Sequence, residues 1–264
     1  MCFTNVSRTA SWRNTHPDHE PSYVLKGFDL AMVVPDLLHV WNLGVARDVI
    51  GSTLRVILSG QVVFGGPTIP DRMHLATESL KRFARGKRLP LRLKKLTKNK
   101  IGWESKKFPS FASSGYDAYV VGLWLEYILT PHERTFPEIY SVIWSSNKVI
   151  SLMYDAGHFL SQKEKASIEI LGDVFARGFL SLANAALQQN TKLWRVKPKF
   201  HLLYHIFFTK RTINMCRYST WMDEGFLKKC GKTLQLTAAK GAQQRLLERW
   251  LMSLPVHLNK ILRS

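Results

Sequence analysis

The chain has 264 residues, 45% of them hydrophobic, with 16 Gly and 11 Pro. That composition excludes a disordered or fibrous protein and gives enough apolar material for a real core. Thirty-eight Lys and Arg against 19 Asp and Glu leave a net charge of +19, which points to a polyanionic partner. The three cysteines, Cys2, Cys216 and Cys230, form no CxxC pair or disulfide framework, so a reducing, intracellular compartment is expected. Residues 1–14 contain no apolar run of the secretory type. The longest greasy stretch, Ala118 to Leu129, is shorter than the roughly 20 residues of a membrane span. No membrane partner is therefore expected.

In chain order, residues 1–25 read as coil. Phe28 to Val34, closed by Pro35, is the best strand candidate. From Asp36 to Ser59, Leu37, Val40, Trp41, Val45, Val49, Ile50, Leu54 and Ile57 recur at helical spacing, with Asp36 placed to cap the first free N–H groups. After a Gly-rich break, Asp71 to Ala84 predicts a helix with Met73, Leu75, Leu80 and Phe83 inward. Between Lys81 and Lys107 twelve cations face one acid, Glu104. Leu89, Leu91, Leu93, Leu96, Ile101 and Trp103 interrupt the run, so it is no bare charged tail. Lys87, Arg88, Arg92, Lys94, Lys95, Lys98 and Lys100 are its candidate DNA contacts. The bland reading of the same run is a solvated face, which leaves its self-repulsion unrelieved. Trp103 suits a buried core position better than stacking on bases.

The second half predicts helices at Tyr116 to Leu129, Pro137 to Phe159 and Gln162 to Gln189. Ser161 with Glu164 makes a capping box for the last of these. Further helices are expected at Lys199 to Phe208, Asp223 to Leu236 and Ala238 to Leu251. The coarse organisation is 1–60, a basic connecting segment 61–110, a helical segment 111–195, and C-terminal helices 196–264.

Three groups of residues invite chemistry. Asp36, ahead of a helix, suits either a cap or a hard cation. Asp223 and Glu224 lead a basic helix, where acids also satisfy the helix dipole. His201 and His205 share a helix face, but the HExxH pattern is absent and no third ligand has a recognisable spacing. Two core or phosphate-facing histidines are the expectation there, not zinc, and in a helix so apolar each ring is expected to be buried and hydrogen-bonded. The common nucleotide-binding and hydrolase signatures are missing.

Two blocks carry a resemblance. Asp36-Leu37-Leu38-His39-Val40-Trp41-Asn42-Leu43-Gly44-Val45-Ala46-Arg47, with Gly27-Phe28 upstream, resembles the D-x-x-H-x-x-x-L-G block of DDE/D transposases of the CACTA and Kyakuja-Dileera-Zisupton kind. Lys197-Pro198-Lys199-Phe200-His201-Leu202-Leu203-Tyr204-His205 is similar to the block preceding the last acid of those enzymes. The resemblance implies an RNase H-like α/β fold with an all-helical insertion, DNA as partner and a nuclear location. It implies two Mg²⁺ or Mn²⁺ ions held by acids. Asp36 matches the second acid, and Glu224, or Asp223, the third, 188 residues on from Asp36 for Glu224. The metals then activate the nucleophile and stabilise the leaving oxygen of a phosphodiester displacement. Only 35 residues precede Asp36, and neither Asp18 nor Asp29 suits the first acid. The expectation is a mainly α protein: an all-helical insertion and C-terminal region attached to a truncated RNase H-like remnant, catalytically incomplete. The rival readings are a helical nucleic-acid-binding module without metal chemistry and a helical scaffold. Homo-oligomerisation stays open.

Overall fold

A computed structural model describes residues 34–104, 106–208 and 212–221, together with Gln244 and Glu248. The chain divides into two units, Met1–Val34 and Pro35–Ser264, and the description below concerns the second. The expected strand at Phe28 to Val34 lies outside the described residues except for Val34, which is irregular. The helices expected at Asp223 to Leu236 and Ala238 to Leu251 also lie outside them, apart from helical Gln244 and Glu248.

The described residues are mainly helical, as the periodicity predicts, and contain no strand beyond one antiparallel bridge between Phe159 and Ile213. A π-helical segment, Leu38–Val45, runs directly into α1, Ala46–Ser59. There follow α2 (Ile69–Gly86), the single turn α3 (Lys98–Ile101), α4 (Gly115–Leu129), α5 (Pro137–Asp155), α6 (Gln162–Gln188) and α7 (Pro198–Phe207). Short 3₁₀ turns lie at Thr130–His132 and Met215–Tyr218.

The predicted helix from Asp36 is thus continuous, but its first turns are wound wide, with Ala46 N–H donating to the carbonyl of Trp41 five residues back. All eight apolar positions that the spacing picks out in it are buried, Leu37 and Leu54 completely. In α2, Met73 and Leu80 are buried as expected, whereas Leu75 is 45% exposed. That one position falls on the outer face, because α2 meets α1 and α4 on one side only.

Local chemistry sets the helix starts. Thr68 and Asp71 form a capping box for α2, and Ser161 and Glu164 form the expected one for α6. Ser114 caps α4 by accepting from Asp117 N–H at 3.1 Å. The core between the π segment, α6 and α7 is aromatic. Trp41 meets Phe175 edge-on at 5.4 Å, Phe175 stacks on Phe200 at 5.7 Å, and Phe179 lies against Phe200 at 4.4 Å. α6 is long and apolar enough to cross a membrane by length and composition. Only part of that apolarity is packed against the protein: Ile168, Phe175 and Phe179 are buried, Ile170, Leu180 and Leu187 are exposed, and an Asp173–Arg177 ion pair lies on the outer side.

Candidate functional site

Asp36 opens the helix directly after Pro35. Asp36 Oδ1 accepts from Leu38 N–H at 3.0 Å, as a capping carboxylate should. The same oxygen accepts from Ser219 Oγ at 3.0 Å and Thr220 N–H at 3.2 Å. Oδ2 accepts from Thr220 Oγ at 2.5 Å and from His39 Nδ1. Burial alone would push this carboxyl up, but the bonds from His39, Thr220 and Leu38 outweigh it and hold Asp36 at about 2. Ser219 and Thr220 sit 183 and 184 residues away in sequence and carry no pattern that marks them as partners of Asp36.

This donor set is the test of the metal reading. A carboxylate offers about four lone-pair sites, and here they receive five donors. Among the described residues no group of three His, Cys, Asp or Glu side chains converges as metal ligands would. As arranged, Asp36 is an anchoring acceptor whose two oxygens are both taken by protein donors. Asp223 and Glu224 lie outside the described residues, three and four positions along the chain from Thr220.

The two motif blocks meet in space. Lys199 Nζ donates to the His39 carbonyl at 2.7 Å, and Lys197 Nζ to Asp48 Oδ1 at 2.8 Å. Gly44 makes room for the crossing: a Cβ there would lie 2.8 Å from Lys199 Cδ and 2.7 Å from the His39 carbonyl oxygen. Asp48 is 2% exposed, and burial raises its carboxyl pKa despite the hydrogen bonds of Lys197 and Ser110. Nothing in the local pattern flags Asp48, since a single acid on a helix reads as surface.

The basic run is a structured ribbon. It leaves the end of α2, crosses as irregular chain from Arg88 to Thr97, and closes in α3. Leu93, Leu96 and Ile101 are buried beneath it. Its backbone is pinned from below: Arg92 N–H donates to Asp117 at 2.9 Å and Leu96 N–H to Thr77 Oγ at 3.0 Å. The side chains of Lys87, Arg88, Arg92, Lys94, Lys95 and Lys98 are exposed, and Lys100 is half-buried. Among the described residues none of these seven has a carboxylate within ion-pair distance. Trp103, expected in the core, is only half-buried at the ribbon's end.

The histidines require a correction. His201 and His205 share one face of α7, as the spacing predicts, but they are not buried: His201 is exposed and His205 half-buried. Leu203, Ile206 and Phe207 turn inward, with Phe200 against Phe175 and Phe179, whereas Leu202 and Tyr204 are exposed, at 40% and 45%. An all-round apolar composition predicted burial on every side, whereas α7 is packed on one.

No family model matches the chain, and neither the curated proteins nor the solved structures contain a match to it.

Proposed function

We propose that this chain is a transposon-derived, DNA-binding protein of the DDE/D transposase type, acting in the nucleus, and that the ribbon from Lys87 to Lys100 is its DNA contact. The observation that carries the binding is the ribbon itself: exposed cations without acidic partners among the described residues, set on a backbone pinned by buried leucines and by Asp117. Like charges held together in this way cost self-repulsion, which phosphates relieve by displacing condensed counterions. The contact of Lys199 with His39 supports the family part of the reading, because it joins the two blocks on which the resemblance rests. In that reading the first block is the remnant of the RNase H-like core, α2 and α3 lie in the basic connecting segment, and α4 to α6 form the helical insertion.

Binding of a DNA duplex across a salt series tests it. Log K falls with log salt at about −0.9 per phosphate contact. Replacing Lys94, Lys95, Lys98 and Lys100 by Gln flattens that slope and weakens binding equally across sequences. An unchanged slope in the quadruple variant removes the ribbon from the interface.

The engagement of both Asp36 oxygens favours a second reading, nucleic-acid binding without metal chemistry. It is separated from the first by Mn²⁺ binding, because a chain without the first acid is expected to show no turnover in nicking assays under either reading. Mn²⁺ binding that Asp36→Asn abolishes supports retained metal-binding acids, and DNA binding unaffected by chelator with no Mn²⁺ bound supports the second reading.

A further inference from the structure

The exposed face of α7 holds an arrangement that the DNA reading does not use. His201 and His205, one turn apart, have Nε2 atoms 3.0 Å from one another and ring planes crossing at 80°. Two imidazole nitrogens on one ion, each at about 2.0–2.1 Å and subtending a tetrahedral or right angle, lie about 2.9–3.4 Å apart. The observed separation falls within that bite.

The rings are carried by a rigid element. Pro198 opens α7, and Leu203, Ile206 and Phe207 anchor its inner face. Phe207 sits so close to α6 that a Cβ on Gly172 would come within 2.9 Å of it. Without an ion, one Nε2 carries a proton and donates it to the other ring. With an ion, both rings take the Nδ1–H tautomer and both Nε2 lone pairs point at the metal.

We propose that His201 and His205 form a two-point site for a borderline transition-metal ion, Zn²⁺, Ni²⁺ or Cu²⁺. Imidazole pairs select these ions over Mg²⁺ and Mn²⁺, so the site is chemically distinct from the acidic one implied by the resemblance. It stands independently of DNA binding.

The test is calorimetric titration of ZnCl₂ and NiCl₂ into the full chain. Wild type binds both ions, and His201→Asn and His205→Asn each weaken binding by about tenfold or more, since even disturbing the outer partner of a ligand costs that much. His158→Asn, on an exposed histidine elsewhere, leaves binding unchanged. Far-UV circular dichroism on each variant checks that the helices persist, which the exposure of the pair favours. A double His201→Asn, His205→Asn variant with wild-type zinc and nickel affinity overturns the proposal. So does a wild-type chain that binds neither ion, and so does Mg²⁺ competing equally with zinc.

Discussion

The Lys197 ammonium lies 2.8 Å from a carboxylate oxygen of Asp48, and the pair joins the first turn of α1 to the residue before α7 across 149 positions of sequence. Lys197 is a quarter exposed and Asp48 almost sealed, so the acid, helped only by Ser110 and the charge of Arg195, depends on Lys197 far more than Lys197 depends on it.

Lys197→Met should therefore destabilise the fold by about 3–5 kcal/mol, the cost of leaving a buried charge unpaired. Adding Asp48→Leu should recover most of the loss. Burial already raises the Asp48 pKa in the folded state. The deficit of Lys197→Met should hence shrink as the pH falls and Asp48 takes up a proton. Urea denaturation of the three proteins at pH 7 and pH 5 measures all of this.

Asp36 behaves in the opposite sense. Its folded value of about 2 lies below the ordinary 3.8, so its ionised form stabilises the fold. That contribution is complete above the unfolded value and disappears as the pH falls from there through the folded one. Discounted for solvent at this partly exposed site, it amounts to about 1–2 kcal/mol. The stability gap between wild type and Asp36→Asn should be open at pH 6 and closed near pH 2, as read by thermal denaturation.

The ribbon variants should separate binding from folding. Lys94, Lys95 and Lys98 are exposed, and such surface positions shift stability by only about 0.5 kcal/mol each. The quadruple Gln variant should melt close to wild type while losing DNA affinity. A large fall in melting temperature would show that these side chains are structural.

Gly44 and Gly60 make a matched pair. A methyl group at Gly44 meets the His39 carbonyl oxygen and the Lys199 side chain, and the carbonyl cannot rotate away. Gly44→Ala should cost about 1–3 kcal/mol, the range for overpacking. Gly60 has nothing within 4 Å of the same atom and an extended backbone, so Gly60→Ala should fall within about 0.5 kcal/mol of wild type. Equal effects at the two positions would remove the close crossing of Lys199 as the reason for Gly44.

The amino-acid sequence by itself determined roughly where the long described helices run and that Asp36 and Ser161 start two of them. It did not mark the caps at Thr68 and Ser114 or the turn Lys98–Ile101. Leu37, Val40, Trp41, Val45, Val49, Ile50, Leu54 and Ile57 are buried at the spacing that picked them out, and Ser161 caps α6 with Glu164. These features need only neighbours within about four positions, because helical hydrogen bonds and caps close over that distance. Tertiary structure alone decided the rest. It left Leu75, His201 and Tyr204 facing outward, sank Asp48 beneath Lys197, and surrounded Asp36 with Ser219 and Thr220. Which side of a helix meets another, and which distant donor reaches a carboxylate, depends on how the elements pack against one another. Residue spacing along one element holds no record of that packing.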